Sequence, residues 1–124
     1  MEETHIKLGK FGEEYASRWL INNGWVIIRR NYHDRFSEVD IIARSSDGIL
    51  VFFEIKALSG GSSHEYSPED HMNKLKIDKL IKTCEMFSAK HPELICDSSG
   101  WRIDLLALTI NTNNVVVKHY KNVV

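Results

Sequence analysis

The sequence predicts an α/β fold in which a helix, three strands, a second helix and two strands follow one another. Apolar residues recur at helical spacing in two long segments, and β-branched and aromatic residues dominate five shorter ones. A Gly/Ser-rich segment separates the third strand from the second helix. A chain of 124 residues is long enough for one domain with a buried core, so we expect a single domain over residues 1–124.

The composition narrows the class of protein. Hydrophobic residues make up 43% of the chain and charged residues 27%, which is typical of a soluble globular protein. No apolar run reaches the roughly 18–20 residues of a membrane span, and the polar N-terminus is unlike a signal peptide. Cys84 and Cys96 lack CxxC spacing and are expected to be reduced thiols, so we expect a cytoplasmic protein without membrane association. The net charge of −1 means that any nucleic-acid surface must be a local basic patch.

The first helix is expected to run from about Glu3 to Asn23 and to end at Gly24. The face that it would bury carries small and apolar residues, namely Gly9, Gly12, Ala16, Trp19 and Leu20. The two glycines predict close packing of this helix on its neighbour. Glu13 falls on the rim of the buried face, and Glu14 points to solvent. Helical phase alone leaves open whether Glu13 is a solvated or capping carboxylate or has a function.

A strand at Trp25–Tyr32 precedes a predicted hairpin, Glu38–Lys56. Four charged side chains interrupt its apolar arms: Glu38, Asp40, Glu54 and Lys56. A two-residue turn at Asp47-Gly48 would place Asp40 and Glu54 on opposite faces. A three-residue loop, Ser46-Asp47-Gly48 with Gly48 left-handed, would place Asp40 opposite Glu54 and Glu38 opposite Lys56. The turn residues permit both registers, and we prefer the second because it gathers all four charges on one face.

Opposed carboxylates in a sheet need a compensating charge. Two of them ~4 Å apart repel by about 4 kcal/mol at an effective dielectric constant near 20. A divalent cation such as Mg²⁺ would relieve this repulsion, with Asp40, Glu54 and the main-chain carbonyl of Ile55 as oxygen ligands. Lys56 would then orient or activate a water, or stabilise negative charge on a phosphate. The alternative is a lattice of surface ion pairs on a half-exposed sheet, and the spacing permits both.

The segment after the hairpin, residues 57–70, predicts a loop that either folds over a nucleic-acid strand or is a plain connector. A second helix is expected from about Pro68 to Lys90. Its basic flank, which either neutralises phosphates or is simply solvated, carries Lys74, Lys76, Lys79 and Lys82. The six histidines, His33 among them, show no paired metal-ligand spacing.

Two apolar strands, residues 101–110 and 115–120, are expected to close the chain with a turn at residues 111–114. Arg102 and Asp104 share a face of the first of these strands. We expect them to pair structurally at the end of the sheet, although Arg102 could reach a phosphate.

These residues resemble a known family. Asp40 followed by Glu54-Ile55-Lys56 is similar to the D…(D/E)xK signature of the PD-(D/E)XK nuclease superfamily. Further motifs occur in the order seen in the YraN-like family: Gly9, Glu13 with Ala16, Arg30-Asn31, Glu38 to Ala43, Val51 to Lys56, Pro68 with Met72 and Lys76, and Arg102 to Asp104. The resemblance covers roughly Leu8 to Tyr120. That family is predicted to be endonuclease-like and is similar to archaeal Holliday junction resolvases.

The resemblance implies a restriction-endonuclease-like fold, a mixed and mainly antiparallel five-stranded sheet flanked by helices. It implies that Asp40 and Glu54 bind Mg²⁺ or Mn²⁺, that Lys56 is catalytic and that Glu13 joins the metal cluster. Lys76 would be an accessory basic residue, with Lys79 and Arg102 as further nucleic-acid contacts. The family usually has glycine at the position of Ser37 and arginine at the position of Leu58, and the loss of that arginine puts phosphate clamping in doubt.

The function expected from this resemblance is metal-dependent hydrolysis of phosphodiester bonds in DNA, including branched or structured DNA. A homodimer is compatible with it by analogy with the resolvases, which act as dimers on two-fold symmetric junctions. The alternative is a nucleic-acid-binding or scaffold module on a nuclease fold, without turnover. The near-neutral charge and Leu58 favour the alternative, and the complete Asp40, Glu54 and Lys56 set favours the enzyme.

Overall fold

The structure, a computed structural model, describes residues 2–60, 73–96 and 100–124, with side chains from residue 8 onward. The elements in chain order are α1 (Glu2–Asn22), β1 (Val26–His33), β2 (Glu38–Arg44), β3 (Leu50–Ser59), α2 (Lys74–Lys90), a 3-10 turn (Pro92–Leu94), β4 (Trp101–Ile110) and β5 (Val115–Tyr120). The five strands form one sheet in the order β1-β2-β3-β4-β5. β3 and β4 run parallel and the other three pairs are antiparallel. The predicted α/β fold with a mixed, mainly antiparallel sheet is therefore confirmed.

Each face of the sheet packs against one helix. Phe52 and Ile42 point to the face covered by α2, where Leu80, Cys84 and Phe87 are buried. The opposite face is covered by α1, and its buried residues include Ile41, Phe53, Leu106, Ala16 and Leu20. Neighbouring residues of a strand point to opposite faces, so consecutive apolar residues such as Phe52-Phe53 fill both layers of the core. The central hairpin is consequently held from both sides.

The end of α1 follows from Gly24. Its φ of +87° is a conformation that residues with a Cβ rarely adopt. The N–H of Trp25 donates to the carbonyl of Leu20 at 3.0 Å, and the N–H of Gly24 to that of Ile21 at 3.1 Å. This pair of bonds is a Schellman motif, which satisfies the last carbonyls of the helix. The predicted helix stop is confirmed.

The two glycines on the buried face of α1 have different environments. A Cβ at Gly12 would lie 2.7 Å from the Cβ of Ala57, so α1 approaches β3 too closely there for any side chain. A Cβ at Gly9 would have no atom of the described residues within 4 Å. The prediction of close packing is confirmed for Gly12 and is wrong for Gly9, which lies beyond the contact of α1 with the sheet.

The hairpin adopts the three-residue loop. Ser45 N donates to Ile49 O at 2.9 Å, Gly48 N donates to Ser45 O at 2.9 Å, and Gly48 has φ +85°. The β2–β3 ladder pairs Arg44 with Leu50 and ends with Ile41 paired to Phe53. The preferred register is confirmed, since Asp40 and Glu54 are the next residues beyond that last pair. The ladder does not extend to Glu38 and Lys56, so the predicted pairing of those two residues is wrong.

Strand β1 is irregular beside Asp40. The register to β2 shifts between Ile27 and Arg29, and Asn31 has φ +52° within the strand. Arg30 and Tyr32 pair with Ile41 and Val39, whereas no pairing joins Asn31 to Asp40. Asparagine tolerates the left-handed region better than most residues that carry a Cβ. The strand pair is thus kinked at the position of Asp40, as is common beside functional sites.

The second helix begins at Lys74 within the described residues, with Asn73 as its N-cap. The predicted start at Pro68, Met72 and most of the predicted loop of residues 57–70 lie outside the described residues. Cys84 and Cys96 form no disulfide, in agreement with the predicted reduced thiols. None of the helices in residues 2–60, 73–96 and 100–124 has the length and apolarity that a bilayer-crossing helix requires.

Candidate functional site

Asp40 lies where the two arms of the hairpin part. The N–H of Ile55 donates a hydrogen bond of 2.7 Å to Asp40 Oδ2. In a continuing antiparallel ladder this N–H would bond to the main chain of β2, but the ladder ends at Ile41 and Phe53. The Asp40 carboxylate therefore takes the place of a main-chain acceptor and is held against the backbone of β3.

The same geometry directs the carbonyl of Ile55. The N–H and C=O of one residue in an extended strand point to the same side, because a hydrogen-bonded residue pair exchanges both bonds. The N–H of Ile55 points towards β2, so its carbonyl oxygen also faces β2, beyond the end of the ladder. A main-chain oxygen is therefore aimed at the side on which the Asp40 carboxylate lies.

Asp40 is hard to ionise in this setting. Burial, followed by the charge of Glu54 and then that of Glu13, raises the pKa of Asp40 to about 7. The hydrogen bond from Ile55 and the charge of Lys76 act in the opposite direction but are outweighed. A carboxyl group with a pKa near 7 among other carboxylates is a place where a cation would bind favourably.

Glu54 is held by a lysine from α2. Its side chain is 13% exposed, and its Oε1 lies 3.3 Å from Nζ of Lys76. The helix positions this lysine at its first turn, since Asn73 Oδ1 accepts a hydrogen bond of 2.8 Å from Lys76 N. Lys76 therefore contacts Glu54, and its predicted roles as an accessory residue of the site and as a contact for nucleic acid stay predictions.

Lys56 lies two residues beyond Glu54 and therefore on the same face of β3. Its side chain is partly buried, and it makes no hydrogen bond or ion pair with any residue that the structure describes. Its neighbour Ala57 is the residue against which Gly12 of α1 packs. The backbone that carries Lys56 is thus fixed by helix packing, while its ammonium group has no internal partner in the described chain.

Helix α1 turns Glu13 inward and Glu14 outward. Glu14 is exposed, with Oε2 3.1 Å from Nη1 of Arg30 and Oε1 3.5 Å from Nε of Arg18. Glu13 is partly buried, and its charge acts on Asp40. The predicted phase of the helix is confirmed. Whether Glu13 binds a metal directly or through water stays a prediction.

No three histidine, cysteine or acidic side chains among residues 2–60, 73–96 and 100–124 are grouped as a ready-made metal site. Glu13 therefore acts on Asp40 through its charge rather than as a third ligand in place. The remaining donors are the carboxylates of Asp40 and Glu54 and the carbonyl of Ile55. Mg²⁺ is commonly bound by one or two carboxylates, with waters and substrate phosphate completing the shell, so this donor set fits the ion.

Arg102 lies in a different cluster. Its Nε is 2.9 Å from Asp104 Oδ1, and Asp104 is fully buried. His119 Nε2 lies 2.7 Å from Asp104 Oδ2, and the N–H of Asn122 donates to Oδ1 at 2.9 Å. The structural pairing expected for Arg102 and Asp104 is confirmed, and contact of Arg102 with a phosphate stays a prediction. Motif reading missed His119 and Asn122, because only the β4–β5 register brings them to Asp104.

Lys79 is exposed on α2, one turn after Lys76. The sequence interpretation overlooked a connection between this helix and the β1–β2 turn. There Thr83 Oγ1 donates a hydrogen bond of 2.7 Å to Asp34 Oδ1, and Lys82 lies over the ring of Phe36. The spacing of Asp34 and Ser37 is a turn signal that could have indicated the turn, but not its contact with α2.

Comparison with known proteins places the chain in a family. Residues 12–108 match the uncharacterised protein family UPF0102. The chain belongs to this family. It is the YraN-like family that the motifs resemble, so the resemblance is confirmed.

The relatives in UPF0102 come from bacteria of different genera. A UPF0102 protein of Campylobacter concisus is 41% identical over 100 residues, covering 81% of this chain and 81% of the relative. One from Persephonella marina is 34% identical over 114 residues, covering 92% of this chain and 90% of the relative. One from Clostridium botulinum is 32% identical over 125 residues, covering 98% and 97%.

Among solved structures, SfsA of Pyrococcus furiosus in complex with Ca²⁺ is similar over 95% of this chain and 63% of that chain, with 16% identity and a TM-score of 0.36. A likeness of this degree supports no statement about the site.

Proposed function

We propose that this protein is a divalent-metal-dependent nuclease that hydrolyses phosphodiester bonds in DNA. The observation that carries the proposal is the pair formed by Asp40 and Glu54, in which burial and then the charge of Glu54 raise the pKa of Asp40 to about 7. The Ile55 carbonyl faces the same side. Oxygen donors of this kind suit Mg²⁺ or Mn²⁺.

The bound cation would supply Lewis-acid polarisation of a phosphoryl oxygen and a positive charge at the reacting phosphate. Lys56, which has no ion pair in the described chain, donates hydrogen bonds that orient a water or stabilise negative charge on the phosphate oxygens. Lys76 fixes the Glu54 carboxylate from α2. Glu13 accepts a hydrogen bond from water at the edge of the site, where its charge already acts on Asp40.

The metal site is tested by calorimetric titration with Mn²⁺. Wild-type protein should bind one ion, and the binding should disappear in Asp40→Ala and in Glu54→Ala. Glu13→Gln should weaken it, whereas Glu14→Gln, one residue away on the exposed side of the helix, should not. Unchanged binding in both Asp40→Ala and Glu54→Ala would place the metal elsewhere.

Activity is tested on supercoiled, single-stranded and branched DNA with Mg²⁺, Mn²⁺ or a chelator. We expect cleavage of at least one substrate with the metal ions and none with the chelator. Absence of cleavage on every substrate would overturn the nuclease proposal.

A second candidate function is a nucleic-acid-binding module without turnover. Leu58, partly buried on β3, favours it, because the family usually has an arginine at this position and an arginine can clamp phosphate. The candidate predicts that Lys56 is only one phosphate contact among several.

Substitutions of Lys56 separate the two functions. For a nuclease, Lys56→Ala should lower the cleavage rate at saturating protein far more than the DNA affinity measured in Ca²⁺. Lys56→Arg should not restore the full rate, since arginine keeps the charge in a bulkier, planar group. Mn²⁺ affinity should persist in both variants, because Asp40 and Glu54 remain.

For a binding module, Lys56→Ala should reduce the affinity for nucleic acid modestly and lower the salt slope by about one unit. Metal-dependent cleavage at an unchanged rate in Lys56→Ala would rule out the catalytic role.

A further inference from the structure

The turn between β1 and β2 is fixed to helix α2. Asp34 Oδ1 accepts hydrogen bonds from Phe36 N at 2.8 Å and from Ser37 N at 3.1 Å. The same oxygen accepts the hydroxyl of Thr83 at 2.7 Å, and Asp34 N donates to Ser37 O at 3.1 Å. Phe36, at the centre of this turn, is therefore presented from a rigid loop beside the basic flank of α2.

Two cations lie over the ring of Phe36. The guanidinium carbon of Arg35 is 4.9 Å from the ring centroid and Nζ of Lys82 is 5.5 Å from it. Both distances fall within the range of cation–π contacts, which hold a cation in place without neutralising it. In the part of the chain that the structure describes, neither cation forms an ion pair with a carboxylate. This holds although Asp78 and Glu85 are four and three residues from Lys82 on the same helix.

Arg35 and Lys82 place two positive charges on one ring, and no carboxylate of the described residues neutralises them. Such a pair of positive charges attracts an anion, just as the two carboxylates of Asp40 and Glu54 attract a cation. A guanidinium offers paired N–H donors that match phosphate, and an ammonium adds a further donor. Both cations lie over the ring, where a stacked base would compete with them, so a phosphate fits this arrangement better than a stacked base.

The cluster lies at a defined distance from the candidate metal site. Phe36 precedes Asp40 by four residues, which span roughly 13 Å of extended chain. Lys76, Lys79 and Lys82 form a row at intervals of three residues along α2, and the row leads from Glu54 to Phe36 over about 9 Å of helix axis. Phosphates of one strand in a duplex are spaced by about 3.4 Å along the axis, so this separation corresponds to a few nucleotides.

We propose that Arg35 and Lys82, held on Phe36, form a phosphate-binding site that takes the backbone of a nucleic-acid strand a few nucleotides from the phosphate at Asp40 and Glu54. The inference rests on the proposed function in taking nucleic acid as the ligand. It does not need turnover, because it assigns binding alone. The strand would run from the end of the hairpin along the lysine row of α2 to the β1–β2 turn.

The test measures binding of a fluorescein-labelled strand of 20 thymidines by anisotropy at several salt concentrations, with EDTA present so that no cleavage occurs. The Arg35→Gln/Lys82→Gln variant should bind more weakly, and its slope of log affinity against log salt should fall by about 1.4 units, since each phosphate contact contributes about 0.7 on a single strand. The control is Arg29→Gln/Lys121→Gln, which removes the same charge from two other exposed positions and should keep the wild-type slope. Equal slopes in the two double variants, or no binding by the wild type, would overturn the proposal.

A second variant examines the ring without changing the charge. Phe36→Leu removes the cation–π contacts and should weaken binding while the temperature of unfolding shows that the fold persists. This loss should be the same on a strand in which abasic sites alternate with thymidine. A loss confined to the fully based strand would mean that Phe36 stacks on a base, and the phosphate assignment would be wrong. Binding that follows these expectations without any cleavage in Mg²⁺ would support the phosphate site and overturn only the nuclease proposal.

Discussion

Ionisation of the Asp40 side chain opposes the stability of the fold. The pKa of Asp40 in the folded protein is about 7, against an ordinary value of 3.8. The folded state therefore binds this proton more tightly than the unfolded state does. The contribution of Asp40 to stability is complete below about pH 4 and is lost as the pH rises through 7. Above pH 7 the charge of Asp40 destabilises the fold unless a cation compensates for it.

The substitution Asp40→Asn measures this loss. Asparagine removes the charge and keeps an oxygen that can accept the Ile55 N–H. In buffer with chelator, wild type and variant should have similar free energies of unfolding near pH 4. At pH 8 the variant should be more stable, by at most about 4 kcal/mol. Urea denaturation across this pH range checks the prediction, and a difference that stays constant with pH would contradict the raised pKa. Mn²⁺ should narrow the gap at pH 8 by stabilising only the wild type.

At the scale of elements, the hydrophobic period predicted the helices and the strands, whereas the turn residues permitted two hairpin registers and the placement of the charged residues on one face favoured the register that is found. Gly24 fixed the end of α1, and Ser46-Asp47-Gly48 allowed the loop that aligns Asp40 with Glu54. The left-handed Asn31 could not be predicted, because its residue type and position also suit a regular strand. The β2–β3 ladder ends before Ile55, whose N–H donates to the Asp40 side chain instead, and local sequence patterns do not predict this exchange of a main-chain acceptor for a side chain.

The contact of α1 with β3 allows a matched test of close packing. Gly9→Ala should raise the free energy of unfolding by about 0.5–1 kcal/mol, because alanine favours the helix and its Cβ meets no described atom within 4 Å. Gly12→Ala gains the same propensity but places a Cβ 2.7 Å from that of Ala57, so it should destabilise the protein. Ala57 directly follows Lys56, so Gly12→Ala should also lower the cleavage rate. Urea midpoints of the two variants give the comparison, and equal effects would show that α1 can move away from β3 without cost.

At the scale of the whole molecule, two aspartates on the same sheet, the half-buried Asp40 and the buried Asp104, have opposite surroundings. Asp104 is fully buried and accepts hydrogen bonds from His119, Arg102 and Asn122. Burial acts to raise its pKa, but these partners outweigh burial and lower it. The cluster joins β4, β5 and the C-terminal residues, where Val123 N also donates to Ile103 O at 2.9 Å. The fold thus compensates Asp104 internally, whereas for Asp40 the hydrogen bond from Ile55 and the charge of Lys76 do not outweigh burial and the charges of Glu54 and Glu13.

This contrast predicts that substitutions of Asp104 change the stability of the fold, whereas metal binding depends on Asp40. Asp104→Ala leaves Arg102 partly buried without its carboxylate and unties the C-terminal residues, so it should cost roughly 3–5 kcal/mol of the free energy of unfolding. Asp104→Asn should cost less, since the amide oxygen can still accept the Asn122 N–H.

The pH dependence of stability should also differ between the two aspartates. Because the folded pKa of Asp104 is lowered, its charge stabilises the fold above its ordinary pKa, and this stability is lost on acidification. The effect of Asp40 has the opposite sign. The stability difference between wild type and Asp104→Asn should therefore shrink as the pH falls towards 3. Mn²⁺ affinity of the folded Asp104→Asn protein at pH 8 should equal that of the wild type, and a loss of affinity there would show that the two clusters are coupled through the sheet.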